Sequence, residues 1–241
     1  MISFFRKIRQ KLLQKNRFTR YMIYALGEIF LVVIGILIAL QINNWNTNIQ
    51  NQRKETAILS ELKDGLNADK ELLQEKLEQY LQDQKQLQIL DSLLNMGDHP
   101  YTQSMNSLFG KVYGIRFTRV NRAFYEDLKS NGLQIIRDKK IRSKIVDLFE
   151  NNYNFLEGIL EIEININLVL RPYYLSNFTE IEFIDSANPI NYEEIWSDPY
   201  YKNIVHYRII NLESNQIKEY QKAITAIEGI SIDIEEYLSY D

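Results

Sequence analysis

The sequence predicts an all-α protein, in which a single N-terminal transmembrane helix continues into an elongated periplasmic helical bundle. An unbroken apolar run near the N-terminus is long enough to cross a bilayer, and leucines then recur at helical spacing. Only four Pro and nine Gly interrupt the 241 residues, which favours long helices. We expect a basic segment at 1–20, the membrane helix at 21–45 and one helical domain at 46–241.

The apolar run from 21 to 45 reads YMIYALGEIFLVVIGILIALQINNW. A helix rises about 1.5 Å per residue, so the 21 residues from 22 to 42 match a hydrocarbon core about 30 Å thick. Tyr21 and Tyr24 at one end and Trp45 at the other suit the two interfaces, where amphipathic rings are favoured. We therefore expect these three rings to contact membrane lipid.

Basic residues flank only one end of this run. No acid precedes it, and the nearest bases beyond it are Arg53 and Lys54. Seven bases precede it: Arg6, Lys7, Arg9, Lys11, Lys15, Arg17 and Arg20. Because cytoplasmic flanks carry such an excess, we expect a cytoplasmic N-terminus, a span in the inner membrane and a periplasmic outer domain. A cleaved signal peptide is the alternative, but the basic region is long and no small-x-small site follows cleanly.

Segment 1–20 also has an apolar side, formed by Phe4, Phe5, Ile8, Leu12 and Leu13. A basic helix with one apolar side is typical of a segment that lies on an anionic lipid surface. A simple basic flank is the alternative, and it places these residues at the same surface.

Glu28 is the only acid within the apolar run. An acid inside a membrane costs on the order of 2.5–3.5 kcal/mol and marks a functional or structural site. Gly35 and Ala39 share its helix face and form a small-xxx-small pair, which lets two membrane helices approach closely. We favour helix association through Glu28, Gly35 and Ala39, and therefore a homo-oligomer. In the alternative, Glu28 carries a proton or another cation.

Composition excludes some classes of function. Without the seven N-terminal bases and Glu28, 21 bases and 31 acids remain, a net charge of −10, so a nucleic-acid partner is not expected. Cysteine is absent, which excludes disulfides, lipid attachment through a cysteine and thiolate metal sites.

Leucines define the first helix of the outer domain, predicted over 47–96 and ended by Gly97, Asp98 and Pro100. Apolar positions recur three, four or seven residues apart at Leu59, Leu62, Leu66, Leu73, Leu77, Tyr80, Leu87, Leu90 and Leu94. Such a stripe needs cover, either from a second copy as in a coiled coil or from later helices of the same chain.

Two more long helices are predicted, at 138–171 and 198–238. Asp138 caps the first and Pro172 ends it, whereas Asp198 and Pro199 are the N-cap and first residue of the second. Shorter helices are predicted at 104–113 and 121–130, and 178–197 is expected to be irregular, with room for a strand at 180–184.

Residues 160–168, LEIEININL, alternate as a strand does. No turn signal separates them from the preceding helix, so we favour a helix here. Its inner face is then expected to carry Ile159, Ile162, Ile166 and Val169.

Signals for chemistry are weak. The two histidines, His99 and His206, do not form a metal-ligand pair, and no nucleophile or phosphate-loop motif occurs, so we expect neither an enzyme nor a cofactor or metal. Glu157, Glu161 and Glu163 could hold a metal or move protons if buried, but a solvated helix face is the simpler interpretation.

Arg116, Arg119 and Arg122 recur every three residues and could bind an anion or a carboxylate-bearing partner. Ion pairs with acids of neighbouring helices are the favoured interpretation. The last helix and its approach are rich in aromatic residues, of which any exposed subset would mark a protein or glycan surface.

Two blocks carry a resemblance to a known family. The first is GEIFLVVIGILIALQINNWN, preceded by FFRKIRQKLL, and the second is FYEDLKSNGLQIIRDKKIRSKIVDLFENNY at 124–153. They resemble an uncharacterised family of single-pass membrane proteins of Bacteroidota, a domain of unknown function, and cover about a third of the chain. The resemblance implies an inner-membrane anchor with a helical periplasmic domain, and it supplies no catalytic residue or ligand.

The function expected from these patterns is that of a non-enzymatic, membrane-anchored envelope protein. It would oligomerise through the Glu28/Gly35/Ala39 face and the helix over 48–96, and its bundle would dock another envelope protein. The alternative is an ion-coupled membrane subunit that uses Glu28. A sensor that binds a ligand in the bundle is a third option, weakened by the short cytoplasmic segment.

Overall fold

The computed structural model describes residues 17–97 and 99–239. The chain divides into two compact units between Glu55 and Thr56. We call the unit from Thr56 onward the bundle, and residues 21–45 the anchor segment. The predicted amphipathic segment at 1–20 lies outside the described residues, apart from the helical backbone from Arg17 onward.

The all-α prediction is confirmed. In chain order the elements are α1 (Arg17–Asn95), α2 (Met105–Val112), α3 (Ala123–Asn131), a 3₁₀ turn (Leu133–Ile135), α4 (Lys139–Asp147), the π-helical segment π1 (Leu148–Asn152), α5 (Tyr153–Asn177), β1 (Phe178–Glu182), β2 (Ser186–Pro189), α6 (Tyr192–Ser197), α7 (Pro199–Asn211), the π-helical segment π2 (Leu212–Ile217) and α8 (Lys218–Ser239). The stretch 160–168 lies within α5, so the helical interpretation is correct.

Three long helical stretches form the bundle: α1 from Thr56, α4–π1–α5, and α7–π2–α8. The last runs antiparallel to the other two, because Lys63 pairs with Glu235 and Lys140 with Asp233, whereas Glu163 pairs with Arg208. We call the half of the bundle near Thr56 and Ser239 the near half, and the half around β1, β2 and α6 the far half.

The leucine stripe of α1 lies in the core of this bundle. Leu59, Leu66, Leu87 and Leu94, for example, are 0–2% exposed within the single chain. Of the two kinds of cover that the sequence left open, the structure has the second: later helices of the same chain cover this stripe, so a second copy is not needed to bury it.

Pro172 does not end its helix, as the sequence suggested, but lies inside α5, which continues to Asn177. A proline inside a helix costs about 3 kcal/mol. Packing of the last turn opposes this cost: Tyr174 is fully buried, and its hydroxyl donates to the Phe109 carbonyl at 2.8 Å and lies 3.0 Å from the Tyr201 hydroxyl. The cap prediction is confirmed at the next helix, where Asp198 accepts from the Tyr200 amide at 2.8 Å.

The inner face of α5 also differs from the predicted one. Ile159 and Ile166 are buried, but Val169 is 64% exposed, and Glu163 is 1% exposed. The apolar periodicity was misleading because α5 buries polar residues on its inner face and leaves apolar residues outside.

Residues 178–197, expected to be irregular, form an antiparallel hairpin and the short helix α6. Phe178 pairs with Pro189 and Glu182 with Ser186, and a bulge lies between Thr179 and Glu182. The hairpin packs against α2 so closely that a Cβ added at Gly110 would clash with the backbone of Asp185 and Ser186.

Candidate functional site

The anchor segment exposes all of its large apolar side chains. Those from Tyr21 to Trp45 are 36–73% exposed, and no residue of the most apolar 18-residue window is buried. By length and composition this helix could cross a membrane. Tyr21 and Trp45, expected at the interfaces, are 73% and 67% exposed, and Tyr24 is 44% exposed.

Glu28, Gly35 and Ala39 lie seven and four residues apart on α1, and all three are exposed. A Cβ added at Gly35 would meet no atom within 4 Å. Within the part of the chain that the structure describes, Glu28 forms no hydrogen bond or ion pair. The face that these residues share is thus open to a partner from outside the chain.

The three arginines at 116, 119 and 122 lie in the non-helical connection between α2 and α3 and do not form one basic stripe. Arg116 binds Asp83 of α1, which Lys111 also approaches at 3.8 Å. Burial raises the pKa of Asp83, and the positive charges of Arg116 and Lys111 oppose this rise.

Arg122 contacts a different part of the bundle. Its guanidinium binds Asn154 and lies 3.3 Å from the Glu157 carboxylate and 3.6 Å from Glu126. Arg119 is exposed. Arg116 and Arg122 therefore fasten the connection to acids of neighbouring helices.

The largest concentration of buried charge, which the sequence reasoning missed, surrounds Glu163. Arg208 of α7 donates from both terminal nitrogens to the two Glu163 oxygens, each at 3.1 Å, and Gln216 of π2 donates at 2.6 Å. Arg208 is 7% exposed and Gln216 is 0% exposed. Glu157 and Glu161, which precede Glu163 in the sequence, are exposed. The sequence analysis interpreted all three acids as one solvated helix face and therefore did not identify Glu163 as buried.

Further polar groups continue this buried cluster toward α1 and the α2–α3 connection. Asn167 of α5 donates to the Gly114 carbonyl at 2.7 Å and accepts from the Gly114 amide at 2.9 Å. Gly114 has a φ of +151°, which favours glycine. The rings of Tyr80 and Tyr220 meet edge to face at 5.1 Å, and burial raises the pKa of both, so both phenols stay protonated.

This cluster fastens helices together and offers no clear chemistry. Its central carboxylate is occupied by Arg208 and Gln216, and a charge-assisted pair of this kind fixes the positions of its helices. His206 is exposed and His99 half-buried. Among the described residues no group of three His, Asp or Glu could hold a metal ion.

One family match places the chain among known sequences. Residues 28–164, more than half of the chain, match a family of unknown function (DUF6090). The match covers most of the anchor segment and the acids that Arg116 and Arg122 contact, among them Asp83, Glu126 and Glu157. No curated protein and no solved structure matches the chain. The chain belongs to this family of unknown function.

Proposed function

We propose that this protein is a non-enzymatic, membrane-anchored scaffold of the bacterial envelope. The anchor segment spans the inner membrane with its N-terminus in the cytoplasm, and the periplasmic bundle docks another envelope protein. The resemblance of the anchor segment to single-pass membrane proteins of Bacteroidota supports a bacterial envelope location.

One observation supports a membrane anchor: apolar side chains are exposed in the first part of α1 and buried in the second. Leucines of α1 beyond Thr56 are buried by the bundle, whereas the large apolar side chains from Tyr21 to Trp45 remain 36–73% exposed among the described residues. Burying a large apolar side chain is worth about 1.5–3 kcal/mol, so a run of this length needs an apolar environment. A bilayer supplies one along its whole length.

The open face around Glu28 supports pairing of two copies in the membrane. A carboxylate in hydrocarbon needs a partner, and the described part of this chain supplies none. Gly35 and Ala39 allow a second helix to approach closely at the same face. The proposed partner of Glu28 is the backbone or a hydroxyl of the second copy.

Cysteine crosslinking tests this pairing against a clean background, because the chain contains no cysteine. Ala39→Cys in intact membranes should form a disulfide-linked dimer, whereas Leu37→Cys, which points to the opposite side of the helix, should not. Adding Gly35→Leu to Ala39→Cys should reduce the dimer several-fold. Equal crosslinking at positions 37 and 39 would contradict the proposed face, and release of the protein by alkaline extraction would contradict the anchor.

An ion-coupled subunit is the second candidate, favoured by the absence of a described partner for Glu28. Glu28→Gln separates the two functions. If Glu28 serves assembly, the amide weakens the Ala39→Cys dimer. If Glu28 carries ions, the dimer persists while proton or cation flux into proteoliposomes is lost.

A further inference from the structure

More large apolar side chains are exposed in the far half of the bundle than in the near half. Leu175, Phe183, Ile190 and Tyr200 are 53–66% exposed. In the near half, Ile232 is exposed to a similar degree, 62%. Exposed apolar side chains that gather at one end of a domain mark an interaction surface.

Three of these side chains surround the end of α5. Leu175 belongs to its last turn, and the Ile190 amide donates to the carbonyl of Asn177 at 2.9 Å. The Tyr200 ring lies 5.6 Å from that of Tyr173, in the same turn. We call the surface formed by Leu175, Ile190 and Tyr200, together with the exposed acids of the same stretch of chain, the far face.

The charge of the far face is mostly negative. Residues 171–202 contain six acids and two bases, Arg171 and Lys202, which gives a net charge of −4. Five of the acids are exposed: Glu180, Glu182, Asp185, Glu193 and Glu194. None of the six forms an ion pair within the described chain, whereas Glu235 and Asp233 of the near half are paired with lysines. These carboxylates are thus available to cations from outside.

The scaffold beneath the far face is rigidly packed. Tyr174 stacks on Phe178 at 4.5 Å, Tyr173 stacks on Tyr201 at 5.3 Å, and the Tyr173 hydroxyl donates to Asp198 at 2.6 Å. A surface held in place before binding loses little conformational entropy when a partner docks.

We propose that the far face binds a basic, apolar segment of a partner protein. Lysines or arginines of this segment pair with the exposed carboxylates, and its apolar side chains cover Leu175, Ile190 and Tyr200. The inference names the chemistry of the docking partner and rests on the proposed scaffold function. Charge decides among occupants: a second copy would bring six more acids against the first six, and anionic lipid or nucleic acid would be repelled as well.

A peptide titration tests the proposal on the full chain in phosphatidylcholine nanodiscs. The probe is a fluorescent peptide of alternating Lys and Phe, and the control peptide has Glu in place of Lys. Ile190→Ser should weaken binding of the basic peptide about fivefold, whereas Ile232→Ser, an equally exposed isoleucine in the near half, should leave it unchanged. Glu193→Lys should weaken binding and reduce its salt dependence, unlike Glu71→Lys, an exposed acid of the near half.

Other outcomes overturn the proposal. If Ile190→Ser and Ile232→Ser weakened binding of the basic peptide equally, the far face would not be its binding site. Equal binding of the acidic and basic peptides would contradict the proposal as well. Self-association of the chain that Ile190→Ser abolishes would make a second copy the occupant. Alkaline extraction of membranes distinguishes failure of this proposal from failure of the scaffold function. A protein that stays in the membrane but does not bind the basic peptide would contradict only the proposed docking chemistry.

A photo-crosslinking amino acid at position 190 extends the test to cells. The segment captured there, identified by mass spectrometry, should carry a net positive charge and apolar residues. Position 232 should not capture the same segment. Capture of an acidic segment at position 190 would contradict the proposal.

Discussion

The near and far halves of the bundle are held together by different interactions. In the near half, lysines and acids pair across exposed helix surfaces, as Lys63 does with Glu235 at 2.6 Å and Lys144 with Asp233 at 2.7 Å. In the far half, the main ion pair is the buried one between Glu163 and Arg208, and the surface is apolar and acidic. The ion pairs of the near half thus lie at its surface, although this half also buries a hydrogen bond from the Tyr153 hydroxyl to Asp69 at 2.8 Å. The main ion pair of the far half lies inside, which leaves the acids of the far surface available for binding.

Removal of the buried carboxylate should give the largest effect. Glu163→Ala leaves Arg208 charged and unpaired in the core, and loss of one partner of a buried pair costs about 3–5 kcal/mol. Lys63→Ala, the matched change at the surface of the near half, should cost at most about 1 kcal/mol. Urea unfolding followed by circular dichroism measures both. Equal costs would contradict the distinction between the two halves.

Alanine at two glycines should have opposite effects in the two halves. Gly110→Ala places a methyl group against the backbone of Asp185 and Ser186, and overpacking of this kind costs about 1–3 kcal/mol. Gly229→Ala in α8 meets only the Lys144 amino group at 3.8 Å, and alanine favours a helix over glycine by about 0.8–1 kcal/mol. Thermal unfolding should therefore show a lower Tm for the first variant and a higher Tm for the second. A rise in Tm for Gly110→Ala would contradict the close packing of the hairpin on α2.

Lowering the pH should have the smallest effect on stability, and this effect should arise in the near half. Hydrogen bonds from Lys144 and Lys140 lower the pKa of Asp233 below its ordinary value of 3.8. The stabilisation from this carboxylate is complete above that value and is lost as pH falls through the lowered pKa. Between pH 5 and pH 2.5, the urea midpoint should fall less for Asp233→Asn than for the wild-type protein. Parallel curves would show that these surface pairs add no stability.

The sequence was informative where one physical effect dominates. The leucine positions of α1 predict its buried stripe because helical spacing alone determines which side chains share a face. Asp138 and Asp198 were identifiable as caps, since capping depends on local geometry, and both carboxylates accept from amides of the following helix.

Prediction from sequence failed where tertiary packing decides. Pro172 read as a helix end because a proline disfavours helix locally, and only the burial of Tyr174 reveals why α5 continues. Glu163 could not be distinguished from Glu157 and Glu161, because the partners that bury it, Arg208 and Gln216, are 45 and 53 residues away. One signal was available: Glu163 lies four residues after Ile159 and three before Ile166, on the same helix face as these two isoleucines.

The burial of the α1 stripe by the last helices has a consequence for biogenesis. Ile234, in the core beside the stripe, is synthesised about 140 residues after Leu94. At about 5–20 residues per second, roughly 7–28 s pass between them on the ribosome. During that interval the last helices are not yet available to cover the leucines. We expect newly made chains to depend on a chaperone that holds this stripe until synthesis is complete.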